Sequence, residues 1–317
     1  MEGRKMRLEQ ILNIKYPIIQ GGMAHIATSD LASSVSNAGG LGLIGAGGMD
    51  AESLREQIRD CKKKTDRPFG VNLMLMNPEC DKMANVIIEE GVKVVTTGAG
   101  NPSKYMAKWL EAGIKVIPVV PSVALARRME KYGACAVVVE GCEAGGHIGE
   151  LTTMALVPQV CQAISIPVIA AGGIACSKQV AACFCLGASG VQAGTIFLSS
   201  KECPIHENYK NAIIKAKDTD TIVTGRINGT PVRILKNKMA KKYVSLEKQG
   251  ASHEELEVYT LGSLRKAVVD GNIDEGSLMA GQVAGMIREI KDTKTIIEDL
   301  FKDVKGCLED ALERSSN

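Results

Sequence analysis

Eight short apolar runs recur over the first two thirds of the chain, with amphipathic stretches between them. They are Tyr16–Gln20, Leu41–Ile44, Phe69–Leu73, Lys93–Thr97, Lys115–Val120, Ala134–Val139, Ile166–Ala170 and Gly190–Ala193. Their near-continuous apolarity fits strands buried on both faces, as in a parallel sheet. The intervening segments predict helices over Ser29–Ala38, Ala51–Lys62, Asp81–Glu90, Ser103–Ala112, Val123–Tyr132, Pro158–Ile164 and Ser177–Leu186. Stops such as Ala38-Gly-Gly40, Ala112-Gly113 and Leu186-Gly187 end several of them, and Pro158 suits a first helical turn.

Eight strands alternating with helices by residue 193 predict a (β/α)8 TIM barrel. A doubly wound open sheet has the same alternation and stays open as an alternative. The first βα turn, Gln20-Gly-Gly-Met-Ala-His25, lacks GxGxxG, and no acid ends the second strand, which argues against a Rossmann dinucleotide fold. Beyond residue 199 the pattern becomes charged and strand-poor. The expected organisation is a barrel over 1–199, an inserted subdomain over 200–270 between the eighth strand and its helix, and returning helices over 271–317. Within the last part a small-residue helix is expected across Gly276–Gly285, and an amphipathic one across Thr293–Leu312.

Composition narrows the function. The 317 residues are 45% hydrophobic, enough for a substantial core. A net charge of +2 and 3% aromatics argue against a nucleic-acid surface. No apolar run approaches the roughly 20 residues of a membrane span. The first ten residues are charged and lack a signal-peptide core. The ten cysteines form no framework, so reduced thiols and a cytoplasmic location are expected.

In a (β/α)8 barrel the chemistry sits where strands end. Gly172 and Gly173 follow the seventh strand, and Gly194 and Thr195 follow the eighth. Two such loops side by side offer bare backbone N–H groups and a hydroxyl to a mononucleotide phosphate. Either pair alone would read as a tight turn. His147, after Gly145 and Gly146, is the candidate for proton transfer or polarisation. A structural histidine bonded to a carbonyl is the plainer reading. His25 sits near a helix start and is expected to face solvent. Cys142, five residues before His147, is a weaker nucleophile candidate because no orienting third group accompanies it. No metal-ligand spacing occurs. Arg226, Arg233, Lys236, Lys238, Lys241 and Lys242 form a basic stretch without an acid, either a solvated face or a site for an acidic partner.

These residues carry a resemblance. Glu140-Gly-Cys-Glu-Ala-Gly-Gly-His-Ile-Gly149, Pro17-Ile-Ile-Gln-Gly-Gly-Met23 and Gln192-Ala-Gly-Thr195 resemble the signatures of the nitronate monooxygenase superfamily. Within it the chain is similar to the flavin-dependent enoyl-acyl-carrier-protein reductases of bacterial fatty-acid synthesis. The distinguishing features are Glu140, where nitronate monooxygenases usually carry Gln, and the segments Leu151–Leu156, Pro231–Lys238 and Glu275–Gly285. The resemblance implies FMN, with NADH or NADPH as electron donor, and His147 as the active-site histidine. By position it implies FMN contacts from Gly22, Met23, Asn72, Glu140, Gly145, Ala171, Gly172, Gly173, Gln192, Ala193, Gly194 and Thr195. It also implies a monovalent cation near Met279, Gly281 and Ala284, a homodimer, and acyl carrier protein docking at Arg233, Lys236 and Lys238. The alternatives are a nitronate monooxygenase with His147 as base, a flavin-binding barrel without turnover, and a Cys142 thiol enzyme.

Overall fold

The computed structural model describes residues 7–227 and 230–316. Ten strands and their helices follow one another in the order β1 (Ile18–Gln20), α2 (Ser29–Asn37), β2 (Gly42–Gly45), α3 (Ala51–Lys64), β3 (Phe69–Met74), α4 (Cys80–Glu89), β4 (Val94–Gly98), α5 (Ser103–Glu111), β5 (Lys115–Val120), α6 (Val123–Lys131), β6 (Val137–Glu140), β7 (Gly146–His147), α7 (Thr153–Ala163), β8 (Val168–Ala171), α8 (Ser177–Cys185), β9 (Gly190–Ala193) and, later, β10 (Thr221–Thr224), with α1 (Leu8–Leu12) ahead of them. An eleventh strand, β11 (Val232–Leu235), pairs antiparallel with β10.

All eight expected strands form, and they run parallel in the order β1-β9-β8-β6-β5-β4-β3-β2. The two ends of that row meet at a parallel bridge between Ile19 and Leu41. Gln20 N donates to Leu41 O at 3.0 Å, and Leu41 N donates to Ile18 O at 2.9 Å. The buried Gln20 side chain reinforces the seam, accepting from Leu43 N at 3.0 Å. The fold is therefore a (β/α)8 TIM barrel.

Period-two alternation sorts the strand residues into two cores. Ile19, Leu43, Val94, Ile117, Val138 and Ile169 fill the lumen, with Leu8 and Leu12 of α1 plugging its lower end. Ile18, Ile44, Val71, Val95, Val116, Val139 and Val168 pack outward under the helices. The same parity puts Asn72, Thr96, Glu140 and Gln192 on the lumen side at the upper end.

Three expectations are corrected. Pro158 lies inside α7, not in its first turn. The Glu143 carboxylate draws the helix start back to Thr153 by accepting from its N–H at 3.0 and 2.9 Å. Gly276–Gly285 is irregular, with a short 3-10 turn over Gln282–Met286. Its glycines serve close approach: a Cβ on Gly276, Gly281 or Gly285 would lie 2.5–2.7 Å from the backbone of other segments. The last helix is two, α13 (Thr293–Phe301) and α14 (Val304–Ser315), when numbered after α9 (Glu207–Lys215), α10 (Lys238–Lys248), α11 (His253–Thr260) and α12 (Ser263–Val268).

Helix α13 packs against α2 and α8, the place of the eighth barrel helix. The excursion before it carries the β10–β11 hairpin, covered by α10 and α11. That hairpin does not stay apart. β11 pairs antiparallel with β7, so the small sheet runs β10-β11-β7 and joins the excursion to the loop after β6.

Candidate active site

A cleft of about 910 Å³ opens at the upper ends of the barrel strands. His147 and all twelve residues expected around a flavin line it: Gly22, Met23, Asn72, Glu140, Gly145, Ala171, Gly172, Gly173, Gln192, Ala193, Gly194 and Thr195.

Its floor is a row of polar ends. Glu140, Ala171 and Gln192 are register partners on β6, β8 and β9, so the two polar α-carbons lie roughly 10 Å apart across small Ala171. Gln192 is 6% exposed and its Oε1 has no hydrogen-bond partner among the described residues. The Glu140 carboxyl also lacks one among the described residues. Burial pushes its pKa up to about 7. Thr96 Oγ1 donates to Asn72 Oδ1 at 2.9 Å, which turns the Asn72 amide nitrogen toward the cleft. A buried polar atom without a partner is costly, so Gln192 Oε1, with the half-buried Glu140 carboxyl and Asn72 amide facing the same cavity, implies a polar occupant.

The walls are glycine by necessity. A Cβ on Gly22 would lie 2.2 Å from Asn72 Cβ. Gly172 and Gly173 hold φ of 93° and 77°, and a Cβ on Gly172 would lie 2.8 Å from Gly141 O. Their N–H groups donate no hydrogen bond among the described residues. Thr153 Oγ1 sits under this turn, 2.9 Å from Gly172 O and 3.1 Å from Ala171 O. Thr195 Oγ1 accepts from Gly281 N at 2.9 Å, which fixes the hydroxyl at the end of β9.

The loop carrying His147 is held from three sides. Glu143 caps α7 through Thr153. Gln282 N donates to Glu143 O at 2.9 Å, bringing the 279–283 segment against Gly145. On the outer side His147 pairs with Val232 and Gly146 with Arg233, while Ile148 N donates to Pro231 O at 3.1 Å. The imidazole faces the open cleft among its walls. Desolvation there lowers its pKa, so it is neutral at pH 7 and carries one donor and one acceptor.

Arg233 is corrected as a docking residue. It is 6% exposed. Its Nε and Nη2 donate to Cys142 O at 3.2 and 2.9 Å, and Nη1 donates to Thr221 Oγ1 at 3.2 Å. The guanidinium braces the His147 loop from behind. Lys236 and Lys238 are exposed, and Lys238 pairs with Asp274 at 2.8 Å. Arg226 lies 3.8 Å from Glu150.

His25 does not simply face solvent. It lines the cleft with a backbone φ of 61°, and its ring packs against Gly48. No sequence signal announces that conformation. Cys142 has its thiol pushed up by burial and by Glu143, opposite to an activated nucleophile. The carbonyls of Met279, Gly281 and Ala284 each accept a bond already, from Tyr209 Oη at 2.8 Å, Ala284 N at 3.0 Å and Ile287 N at 3.1 Å. Among the described residues no His/Cys/Asp/Glu group suited to a metal occurs, and no helix is long and apolar enough to cross a membrane.

A (β/α)8 barrel with a glycine-walled, polar-floored cleft at its strand ends is thus the class that fold and site define. Residues 5–303 match the nitronate monooxygenase family, and the chain belongs to it. It is similar to FabK from Thermotoga maritima, at 49% identity and a TM-score of 0.95, over 98% of this chain and 100% of that one. It is 34% identical to a probable nitronate monooxygenase of Staphylococcus saprophyticus, over 95% of this chain and 98% of the relative. It is 31% identical to (3aS,4S,5R,7aS)-5-hydroxy-7a-methyl-1-oxo-octahydro-1H-indene-4-carboxyl-CoA dehydrogenase of Mycobacterium tuberculosis, over 96% and 97%.

Proposed function

We propose that this chain is an FMN-dependent, NAD(P)H-driven enoyl-acyl-carrier-protein reductase. The observation that carries the reading is the full-length likeness to the Thermotoga FabK, a protein of that type, at 49% identity against 34% for the nitronate monooxygenase relative. A soluble homodimer in the cytoplasm, taking electrons from NADH or NADPH and substrate from acyl carrier protein, completes it.

The cleft residues fit the flavin. The unpartnered Gln192 Oε1, the Asn72 amide and Glu140 match the hydrogen-bonding edge and polyol of a flavin mononucleotide. The bare N–H groups of Gly172 and Gly173, with Thr195 beside them, suit its phosphate. Bound there, FMN would supply hydride transfer from nicotinamide to the β-carbon of the enoyl thioester.

The chain's own work is to bind, orient and exclude water. In this reading neutral His147, on the cleft lining, donates one N–H to the thioester carbonyl and stabilises negative charge developing there. Arg233 and β11 hold it at that position through Cys142 O and the β7 pairing. Met279 and Val283 close the cleft on one side with apolar surface. A cation at Met279, Gly281 and Ala284 would have to use second lone pairs of carbonyls already engaged. Lys236 and Lys238 are left as the surface cations for an acidic carrier.

Nitronate oxidation is the second reading, favoured by the family match itself. Steady-state assays separate the two. The proposal expects NAD(P)H oxidation that depends on a crotonyl thioester and continues without oxygen. Oxygen uptake with propyl-2-nitronate, and none of that thioester-dependent oxidation, would replace it with the second reading.

A further inference from the structure

Most glycines on the cleft lining are required by a close neighbour or by a left-handed backbone. Gly98, at the end of β4, is required by neither. A Cβ there would have no atom within 4 Å beyond its chain neighbours, and its φ lies outside the left-handed region. Among the described residues no other glycine of this lining combines the two. The backbone is ordinary strand, held by Leu75 N donating to Gly98 O at 3.0 Å. A larger residue would stand here without strain and would favour the strand. Glycine in a strand often marks the close approach of a ligand, and what it provides at this position is room.

The room lies on the lumen side. Val94 and Thr96 of β4 face inward, and Gly98 has the same parity. Met74 is its register partner on β3, and Thr97 pairs with Pro118, which sets Val119 beside Gly98 on β5. The Met74 and Val119 α-carbons therefore stand roughly 10 Å apart across a position without a side chain. Both residues line the cleft, as do Pro121 and Leu125 beyond β5. A Cβ on Gly149 would lie 3.2 Å from Pro121 Cβ, so this wall meets the loop of His147 and Ile148. Asn101, at the rim, is already engaged and accepts from Ser103 N at 3.1 Å. The surface around the gap is apolar, and no lysine or arginine lines the cleft among the described residues.

We infer that the gap at Gly98, between Met74 and Val119, receives the acyl chain of the enoyl substrate, and that Gly98 sets how long a chain the enzyme accepts. This rests on the reductase reading. With the thioester carbonyl at His147, the carbons past the β-carbon have to leave that point along one wall of the cleft. The wall that meets the His147 loop at Pro121 is apolar and has a gap in it. The acyl thioester is the co-substrate with an extensible hydrocarbon part. The dinucleotide brings amide, ribose and diphosphate groups, which an apolar wall leaves unsatisfied. A methylene that fits or fails to fit such a pocket is worth about tenfold or more in kcat/KM.

The test uses the flavin-loaded full chain with Gly98→Ala and Gly98→Leu, assayed with crotonyl, oct-2-enoyl and dec-2-enoyl thioesters of N-acetylcysteamine. The ratio of kcat/KM for the dec-2-enoyl to the crotonyl thioester should fall about tenfold or more in Gly98→Leu, and by less in Gly98→Ala. An equal loss at every chain length, or no loss, overturns the assignment. Loss of flavin from both variants gives the space to the flavin, and a rise confined to the KM for NADH or NADPH gives it to the nicotinamide; either result overturns the acyl pocket. Where Gly98→Leu alone sheds flavin, the chain-length profile of Gly98→Ala decides. If the wild type reduces no enoyl thioester, the reductase reading fails by itself. Calorimetric titration with butyryl and decanoyl thioesters of N-acetylcysteamine then decides the pocket. Affinity that rises with chain length in the wild type and not in Gly98→Leu supports it, and the same rise in both, or in neither, overturns it.

Discussion

Glu140 and Gln192 face the cleft with polar ends that the protein itself does not satisfy. Glu140 has a pKa raised to about 7 by burial. The sign follows directly. The folded state favours the protonated form, so the stability this group contributes is present below its ordinary pKa near 4.5 and is lost as pH rises through about 7. The flavin-free protein should therefore lose thermal stability between pH 5 and pH 8, and Glu140→Gln should flatten that profile; an unchanged slope in thermal melts would show that another group sets it. His147 shifts the opposite way, toward neutrality. His147→Ala should keep the flavin and lower kcat about a hundredfold, whereas full turnover with bound flavin would remove its role. Gly22→Ala should weaken flavin binding about tenfold, because its Cβ meets Asn72; fluorescence titration reads this. At this scale the sequence was partly legible. Strand-end position marked Glu140, Gln192 and the glycines, and Gly-Gly marked His147. His25 was not legible, because a positive φ on a non-glycine residue depends on packing against Gly48. Arg233 misled because a charge in a basic stretch reads as surface, while this one is buried on a carbonyl.

The barrel strands and their helices were readable as elements because buried parallel strands are short apolar runs with glycine stops between them. The elements that finish the site were not. β7 is two residues long, and its partner among the described residues lies more than eighty positions later in β11. Such pairing leaves no periodicity to detect. The small-residue segment across Gly276–Gly285 mimics a helix in composition, yet its glycines admit neighbouring backbone. Arg233→Met tests the joint between hairpin and loop. It removes the donors to Cys142 O and should cost about 1–3 kcal/mol, read by urea unfolding. It should also lower kcat while flavin stays bound, since β7 carries His147. Lost stability with unchanged kcat would make Arg233 a brace with no bearing on the histidine.

Across the whole molecule, the barrel supplies the floor and the excursion supplies the rim. Polar floor residues come from β3, β6 and β9, whereas Leu264 of α12, Met279 and Val283 line the cleft from the excursion side and β11 backs the His147 loop through β7. Binding of a carrier belongs to that outer surface. Lys236→Glu with Lys238→Glu should raise KM for a carrier-linked enoyl substrate and spare a small thioester; equal effects on both would exclude docking there. The measurement closest to the central claim is an anaerobic spectral sequence on the purified protein. The account predicts a yellow protein whose flavin absorbance bleaches on adding NADH or NADPH and returns on adding crotonyl thioester, with no oxygen present. A protein that carries no flavin, or whose bleached flavin recovers only when oxygen is admitted, would contradict it.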